Sequence, residues 1–334
     1  MGLRSPASPH SLRCVSGPIR ALAPLVAYPA MRLAPAMLLA PAVLLALIPA
    51  AACRAGNGPK DQRNAPVVVG SKNFTEQVIL GEMISLLMEG RGIPVDRRLN
   101  LGGTFICFNA LRTGQIDLYV EYTGTALTTV LKETPTKDGT SAYAEVSRRF
   151  KEDYDLVWTE PLGFRNDFAI VVRGEDARQK SLRTLSDLAR ASPGMRAGFG
   201  PEFLSREDGY PGLEKAYGLR FRERPLQMDL GLIYRALAEK KVDVVVGNTT
   251  DGLIDALGLV VLEDDKSYFP AYEAAPVVRH TALDSHPALR EALASVGGIL
   301  SEADMRKLNY AVDGEKKDAR AMAREFLRRR GLLP

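Results

Sequence analysis

The stretch "VVVGSKNFTEQVILGEM", from Val67 to Met83, shows how the fold begins. Its first three residues are apolar and β-branched, which is typical of a buried strand. The pattern breaks at Gly70-Ser71-Lys72 and then takes the apolar spacing of a helix, at Ile79, Met83, Leu86 and Leu87. Asn73 or Thr75 is expected to cap this helix. The stretch therefore predicts a strand that turns into a helix, with Lys72 at the exit of the strand.

The same alternation recurs further along the chain. The segment "NLGGTFICFNALRTG", from Asn100, predicts a glycine turn, a cap at Thr104 and a helix. The segment "QIDLYVEYTGT", from Gln115, alternates like a strand. Its two expected faces are Ile116, Leu118 and Val120 on one side, and Asp117, Tyr119 and Glu121 on the other. It runs into Tyr122-Thr123-Gly124-Thr125, which we expect to be a loop. This alternation of strands and helices predicts an α/β fold with mostly parallel sheets.

A weak internal echo suggests two similar lobes. "ALRTGQIDLYVEYTG", from Ala110, aligns without gaps on "ALAEKKVDVVVGNTT", from Ala236, and places Tyr122 opposite Asn248. Ligands of open α/β sheets bind outside the carboxyl ends of the strands. Lys72, Tyr122 and Asn248 are therefore expected at a crevice that the two lobes share.

The front of the chain has the order of a secretory signal. From Met31 it reads "MRLAPAMLLAPAVLLALIPAAACRAG", with a basic start at Arg32, an apolar run and small residues before Cys53. We expect a leader over residues 1–53, with Met31 as a candidate start, and a linker over residues 54–64. The apolar run is short for a bilayer and contains prolines, which disfavours a membrane span. The ending "AAAC" leaves open a simple cleavage site or a lipoprotein site with lipid on Cys53. Both predict a periplasmic or cell-envelope protein.

Composition excludes several classes of function. The formal net charge is +4, from 44 basic and 40 acidic residues, so a nucleic-acid partner is not expected. Of the three cysteines only Cys107 lies beyond the leader, among apolar neighbours that favour a buried structural thiol. The three histidines show no metal-ligand spacing, and no catalytic motif for acyl transfer, nucleotide binding or zinc hydrolysis is present. No metal, cofactor or catalytic residue is therefore expected.

A succession of motifs carries a family resemblance. In order they are "GSKNFTEQVILGEM", "LNLGGT", "DLYVEYTGTAL", "DGYPGLEKAYGL", "FPAYEAAPVVR" and "LNYAVDGEKKDARAMAREFL". Together they resemble the glycine betaine/choline/carnitine-type substrate-binding proteins of ABC transporters, over nearly all of the chain beyond the leader. The resemblance implies the type II periplasmic-binding-protein fold, with two lobes joined by a hinge. Each lobe would hold a mostly parallel sheet flanked by helices, with residues 65–168 plus 271–334 in lobe I and 169–270 in lobe II.

The resemblance also implies a site with two parts. A trimethylammonium group has no N–H donor, so aromatic faces must hold it, whereas the carboxylate of a betaine needs cationic or hydroxyl donors. The matching clamp residues are Lys72, Thr125 and Arg206, with Asn73 beside Lys72. The matching cage residues are Tyr122, Tyr272 and Phe168, which stands where the family often has tyrosine, and Asn166 is an added polar contact. The implied partners are a quaternary-ammonium or betaine ligand and the permease subunits, with the protein itself a monomer.

Asn248 departs from the family pattern, and it leaves the ligand open. In "GNTTDG" it stands where many members have a tyrosine, so an amide replaces an aromatic face. One lost cation–π contact costs up to about 2 kcal/mol in a desolvated site. The leading interpretation is an importer component for glycine betaine or a related carboxylate-bearing betaine. The alternative is a ligand-sensing protein for another zwitterion whose polar group meets Asn248. An enzyme on the same fold is the least favoured interpretation.

Overall fold

The computed structural model describes residues 65–334 except residues 135 and 137. The leader and linker over residues 1–64, with Met31 and Cys53, lie outside the described residues. In the part of the chain that is described, no helix combines the length and the apolar character that crossing a membrane requires.

Ten strands and fourteen α-helices make up the described residues. In chain order the strands are β1 (Val67–Lys72), β2 (Val95–Gly102), β3 (Leu118–Tyr122), β4 (Leu156–Trp158), β5 (Phe168–Arg173), β6 (Ala197–Phe199), β7 (Leu226–Gln227), β8 (Val244–Asn248), β9 (Leu259–Val261) and β10 (Ala274–Arg279). The helices are α1 (Thr75–Gly90), α2 (Thr104–Arg112), α3 (Thr123–Thr125), α4 (Gly139–Tyr154), α5 (Gly174–Lys180), α6 (Leu185–Ala191), α7 (Pro201–Ser205), α8 (Tyr210–Tyr217), α9 (Ile233–Ala238), α10 (Leu253–Ala256), α11 (His280–Ser285), α12 (Pro287–Ala294), α13 (Glu302–Asp313) and α14 (Ala319–Arg329). A π-helical segment, Ala126–Val130, continues α3, and a 3₁₀ turn, Ser192–Gly194, follows α6.

The strands form two sheets of the same topology. The first has the order β2-β1-β3-β10-β4 and the second the order β7-β6-β8-β5-β9. Both sheets are mixed: β1 pairs in parallel with β2 and β3, whereas β10 is antiparallel to β3 and β4. In the second sheet β6 pairs in parallel with β7 and β8, whereas β5 is antiparallel to β8 and β9. We call the first sheet with its helices lobe I and the second with its helices lobe II. The residue boundaries given above for the lobes stay a prediction.

The internal echo in the sequence corresponds to this repeated topology. Strand β3 occupies the third position of its sheet and ends at Tyr122, and β8 occupies the third position of the other sheet and ends at Asn248. The gapless alignment of the two segments therefore places equivalent strand ends opposite each other.

Apolar side chains cover both faces of each sheet. On lobe I, one cluster holds Leu118 and Val120, and the other holds Tyr119 with the buried Cys107. Lobe II likewise has two apolar clusters around its sheet. Tyr119 and Glu121 lie on the face opposite Leu118 and Val120, as predicted, but all five residues of β3 are buried, so this face does not meet water. Ile116 precedes the strand and packs with Tyr119, so the expectation that it shares a face with Leu118 is wrong.

Three local expectations are also corrected. Helix α1 begins at Thr75 after Phe74, and neither Asn73 nor Thr75 caps it with a side chain. Helix α2 begins at Thr104 with Gly103 as its N-cap, so Thr104 is not its cap. Residues 123–125 form a helical turn instead of a loop, because the chain passes directly from β3 into α3 and the π-helical segment.

Candidate functional site

A cavity of about 730 Å³ lies between the two lobes. This volume is within the usual range for small-molecule sites. Both sheets contribute the ends of their strands to its lining, as expected for ligand sites of α/β folds. All nine residues singled out from the sequence line it: Lys72, Asn73, Tyr122, Thr125, Asn166, Phe168, Arg206, Asn248 and Tyr272. The structure therefore brings these residues together around one space, while their roles toward a ligand stay predictions.

Lys72 lies at the last position of β1 and is bound to lobe I itself. Its Nζ donates to Glu121 Oε1 at 2.5 Å and to Thr104 Oγ1 at 2.8 Å. The same Nζ lies 5.2 Å from the centroid of the Tyr122 ring. Both Lys72 and Glu121 are buried, so the two charges must neutralise each other away from water. The strand exit holds a buried ion pair and not a solvated loop lysine.

Arg206 follows α7 of lobe II and is also paired. Its Nε donates to Asp208 Oδ1 at 2.8 Å, and its Nη2 contacts Asp208 Oδ2 at 2.5 Å. Nη2 also donates to Thr125 Oγ1 of lobe I at 3.1 Å, and the guanidinium lies 5.2 Å from the Phe168 ring centroid. Burial disfavours the charged form of Arg206, but the Asp208 carboxylate raises the pKa of Arg206 overall. Arg206 and Thr125, both predicted to hold the ligand carboxylate, thus meet across the lobes.

Two groups of aromatic side chains line the cavity. Tyr122 stacks with Phe74 of the same lobe, with ring centroids 6.4 Å apart. Phe168 packs edge-on against Tyr272, with ring centroids 5.6 Å apart. The Tyr272 hydroxyl donates to Asp208 Oδ2 at 2.8 Å, so the partner of Arg206 also holds this ring. Two aromatic walls therefore line the cavity.

Glu76 lies in the first turn of α1 and collects hydrogen bonds from several elements. Its Oε1 accepts from the Tyr122 hydroxyl at 2.6 Å and from Asn166 Nδ2 at 2.7 Å. Its Oε2 accepts from Thr250 Oγ1 of lobe II at 2.6 Å and from Asn309 Nδ2 at 3.4 Å. Burial raises the pKa of Glu76 to about 7, although these hydrogen bonds act in the opposite direction. The side chain of Asn166 thus donates a hydrogen bond to this carboxylate.

Asn248 lies at the end of β8 and lines the cavity. It stands directly opposite Phe168 in the antiparallel pair of β8 and β5, so the two side chains lie on the same face of the sheet. Its backbone N–H donates to Asp251 Oδ2 at 2.9 Å, and Asp251 also accepts from the Tyr234 hydroxyl at 2.6 Å. Tyr234 therefore lies near Asn248 and also lines the cavity.

Glu202 connects the lobes at the rim of the cavity. Its carboxylate, from α7 of lobe II, accepts hydrogen bonds from the backbone N–H and the hydroxyl of Thr104, the first residue of α2 in lobe I. The N-terminus of a helix attracts anions, because its first N–H groups lack partners within the helix and the helix dipole is positive there. The side chain is about one-third exposed, at 32%. A carboxylate of lobe II thus caps a helix of lobe I.

The residues predicted from the sequence include rings and cations that line the cavity, but not its carboxylates. Asp208 is buried and bonded to both Arg206 and Tyr272. Glu76 and Glu202 were not singled out, because an acidic residue in the first turn of a helix is ordinary. Within residues 65–334, leaving out 135 and 137, no group of acidic, histidine or cysteine side chains could hold a metal ion.

Known proteins resemble this chain over most of the described residues. A family model described as the substrate-binding domain of an ABC-type glycine betaine transport system matches residues 65–329. The ergothioneine transport permease/ergothioneine binding protein EgtU of Helicobacter pylori is 37% identical over 80% of this chain, and the chain spans only 48% of that relative. The carnitine transport binding protein OpuCC of Listeria monocytogenes is 35% identical over 78% of this chain and 85% of its own.

The fold is also that of a solved relative. A crystal structure of a glycine betaine/carnitine/choline ABC transporter protein has a TM-score of 0.66 and 37% identity, over 80% of this chain and 99% of that chain. This likeness confirms the predicted type II periplasmic-binding-protein fold. The family consists of transport binding proteins and not enzymes, which confirms that expectation. The chain therefore belongs to the family of substrate-binding domains of ABC-type glycine betaine transport systems.

Proposed function

We propose that this protein is the extracytoplasmic substrate-binding component of an ABC importer, and that its ligand is a quaternary-ammonium osmoprotectant with a carboxylate, such as glycine betaine. The observation that carries the proposal is the interlobe cavity, in which Tyr122, Phe168 and Tyr272 lie together with Lys72 and Arg206. Aromatic faces attract a methylated ammonium, which offers no hydrogen-bond donor. The cationic side chains suit the carboxylate at the other end of the molecule.

The ion pairs of the cavity leave room for such a carboxylate. An ammonium group has three donors, and the hydrogen bonds among the described residues use two of those on Lys72. The Nη1 group of Arg206 donates to none of the described residues, although Glu202 lies 3.7 Å from it. A ligand carboxylate would therefore use these remaining N–H groups without breaking either ion pair.

Closure of the lobes is the mechanism that the site supports. A ligand that contacts Tyr122 on lobe I and Arg206 on lobe II makes more contacts when the lobes are together, so it favours the closed form. The permease would recognise that form. The cell-envelope location and the monomeric state remain predictions, as does lipid on Cys53, which lies outside the described residues.

Asn248 favours a second candidate ligand. Its amide offers both a donor and an acceptor at a place where an aromatic face is expected. The relatives are named for ergothioneine and carnitine, so another zwitterion whose polar group meets Asn248 is a reasonable alternative. Such a protein would serve either uptake or sensing, and a neighbouring gene for a permease or for a kinase would distinguish the two.

A ligand panel tests the proposal. We expect glycine betaine, carnitine or ergothioneine to raise the melting temperature of the purified protein, and calorimetry to show tighter binding than for choline. Tyr122→Leu should weaken binding more than Tyr122→Phe, which keeps the aromatic face. If choline binds more tightly than every carboxylate-bearing compound, the ranking is wrong. If none of the four compounds binds, the proposed function is wrong.

A further inference from the structure

We infer that Glu76 is the counter-charge for the cationic group of the ligand, and that it acts through the Tyr122 ring. This inference rests on the proposed function, since it assumes a quaternary-ammonium ligand. Glu76 lines the cavity, is 2% exposed, and accepts the Tyr122 hydroxyl at 2.6 Å. Such a hydrogen bond to a carboxylate shifts electron density into the ring, and a more electron-rich face attracts a cation more strongly.

The balance of charges around the cavity singles out this carboxylate. Lys72 pairs with Glu121, and Arg206 pairs with Asp208. Glu202 lies on the N-terminus of α2. Among the described residues, by contrast, Glu76 forms no ion pair, and all four of its hydrogen-bond donors are neutral. A buried carboxylate without a cation is costly, and a bound quaternary ammonium would supply the missing positive charge.

Tyrosine–carboxylate pairs recur around the cavity, but they differ in net charge. The Tyr272 hydroxyl donates to Asp208, whose charge Arg206 already neutralises. The Tyr234 hydroxyl donates to Asp251 on the lobe II side. Among the aromatic side chains that were predicted from the sequence and lie in the described residues, only Tyr122 donates its hydroxyl to a carboxylate that has no cationic partner.

Asp251 is the charged side chain that acts on Glu76 from lobe II, and its negative charge raises the pKa of Glu76 further. Asp251 follows β8 and has a pKa raised to about 6 by burial. Asp313, on α13, accepts the Thr75 hydroxyl, and burial raises its pKa as well. The nearest cation above the Tyr122 ring is Lys72, which Glu121 neutralises. With a pKa of about 7, Glu76 is protonated in roughly half of the ligand-free molecules at pH 7.

Binding of a cation should therefore release a proton. A nearby positive charge favours the ionised carboxylate and lowers its pKa in the complex. If that pKa falls to about 5 or below, linkage predicts binding about tenfold tighter at pH 8 than at pH 6, with about half a proton released at pH 7. The carboxylate of a betaine stays ionised over this range, so the ligand itself does not titrate.

The experiment is calorimetry from pH 5.5 to 8.5, in buffers of different ionisation enthalpy. The probe is whichever of glycine betaine, carnitine, choline and ergothioneine gives the largest thermal shift. Glu76→Gln should remove both the proton release and the pH dependence, and Asp251→Asn should keep most of each. Glu207→Gln, on an exposed side chain next to Arg206, is the matched control and should behave like the wild type.

The outcomes separate this inference from the proposed function. Binding without proton release by the wild-type protein overturns the inference and leaves the proposed function standing. A pH dependence that survives in Glu76→Gln but disappears in Asp251→Asn also overturns it. If none of the four probes binds, both conclusions fall. Because proton release is measured on the wild-type protein, the test stands even if Glu76→Gln does not fold.

Discussion

The contact between Glu202 and Thr104 gives a prediction that can be tested from both lobes. Glu202→Ala removes the carboxylate from lobe II. Gly103→Ala acts from lobe I, because a Cβ at Gly103 would lie 2.2 Å from Glu202 Oε1 and displace it. The backbone of Gly103 has φ −81°, which alanine adopts without strain. We expect both variants to shift the ligand-free protein toward the open form.

The size of the shift follows from the contacts that are lost. A hydrogen bond to a charged group contributes about 1.5–3 kcal/mol, and an anion at a helix N-terminus about 0.3–1 kcal/mol. Glu202 is about one-third exposed, so solvent screening reduces these values. We therefore expect a loss of about 1–2 kcal/mol, which changes the ratio of closed to open molecules by about 5- to 30-fold.

Spin labels on the two lobes can measure this ratio. Glu152→Cys on α4 and Gln179→Cys on α5 place one label on each lobe, at exposed positions. Cys107 is 0% exposed and should not react. Pulsed electron–electron double resonance then gives the distribution of interlobe distances without ligand. The longer-distance population should grow in both Glu202→Ala and Gly103→Ala.

The control for this experiment is Glu207→Ala, which removes an exposed carboxylate five residues from Glu202 in the sequence. Its distance distribution should match that of the wild type. If the two test variants also match the wild type, the Glu202 contact does not hold the lobes together. If the distance distribution shifts in only one of the two test variants, that substitution causes the shift and the loss of the Glu202 contact does not.

Three further predictions follow from the site. Asn248→Tyr should bind a quaternary ammonium by calorimetry about fivefold more tightly, since a ring opposite Phe168 adds about 1 kcal/mol of cation–π attraction, whereas Asn248→Leu should bring no gain. In urea denaturation between pH 5 and pH 8, the wild type should lose about 2–3 kcal/mol of unfolding free energy relative to Glu76→Gln. The raised pKa of Glu76 in the folded state favours the neutral carboxyl, so the stabilisation from Glu76 is complete below about pH 4.5 and is lost as the pH rises past 7. Parallel pH curves for the two proteins would contradict this. Lys72→Met should destabilise the fold by about 3–5 kcal/mol because it leaves Glu121 unpaired, and Lys72→Met with Glu121→Leu should recover most of that loss; a double variant no better than the single one would refute this explanation.

The sequence predicted the ends of the strands better than it predicted the partners of the side chains at those ends. The apolar run from Val67 predicted a strand that leads to Lys72, although β1 continues through Gly70 and Ser71 and the predicted break there is wrong. The gapless echo placed Tyr122 and Asn248 at equivalent strand ends, as the two sheets show. These predictions depend on local patterns of apolar residues. The partner of Lys72 lies 49 residues away on β3, and pairing across a sheet leaves no local signal in a single sequence.

Two further differences have physical reasons. The sequence from Leu118 to Tyr122 alternates apolar and polar residues, which normally marks a strand with one face in water. Here the polar residues are buried because they bond to each other: the Tyr119 hydroxyl donates to Glu121, and Glu121 pairs with Lys72. Thr104 does not cap its own helix because it is the first residue of that helix. Its hydroxyl accepts from Lys72, and Glu202 of the other lobe accepts from its backbone N–H.

The position of β10 bears on how the chain reaches its native state. All strands of lobe II lie between residues 168 and 261, so that sheet can form as soon as this one stretch has been synthesised. The sheet of lobe I lacks its fourth strand until residues 274–279 arrive, and within residues 65–334, leaving out 135 and 137, β4 pairs with no other strand of that sheet. The earlier-made half of the molecule is thus completed last, and a chain shortened before Ala274 would leave an unpaired edge on β3 where other copies could attach.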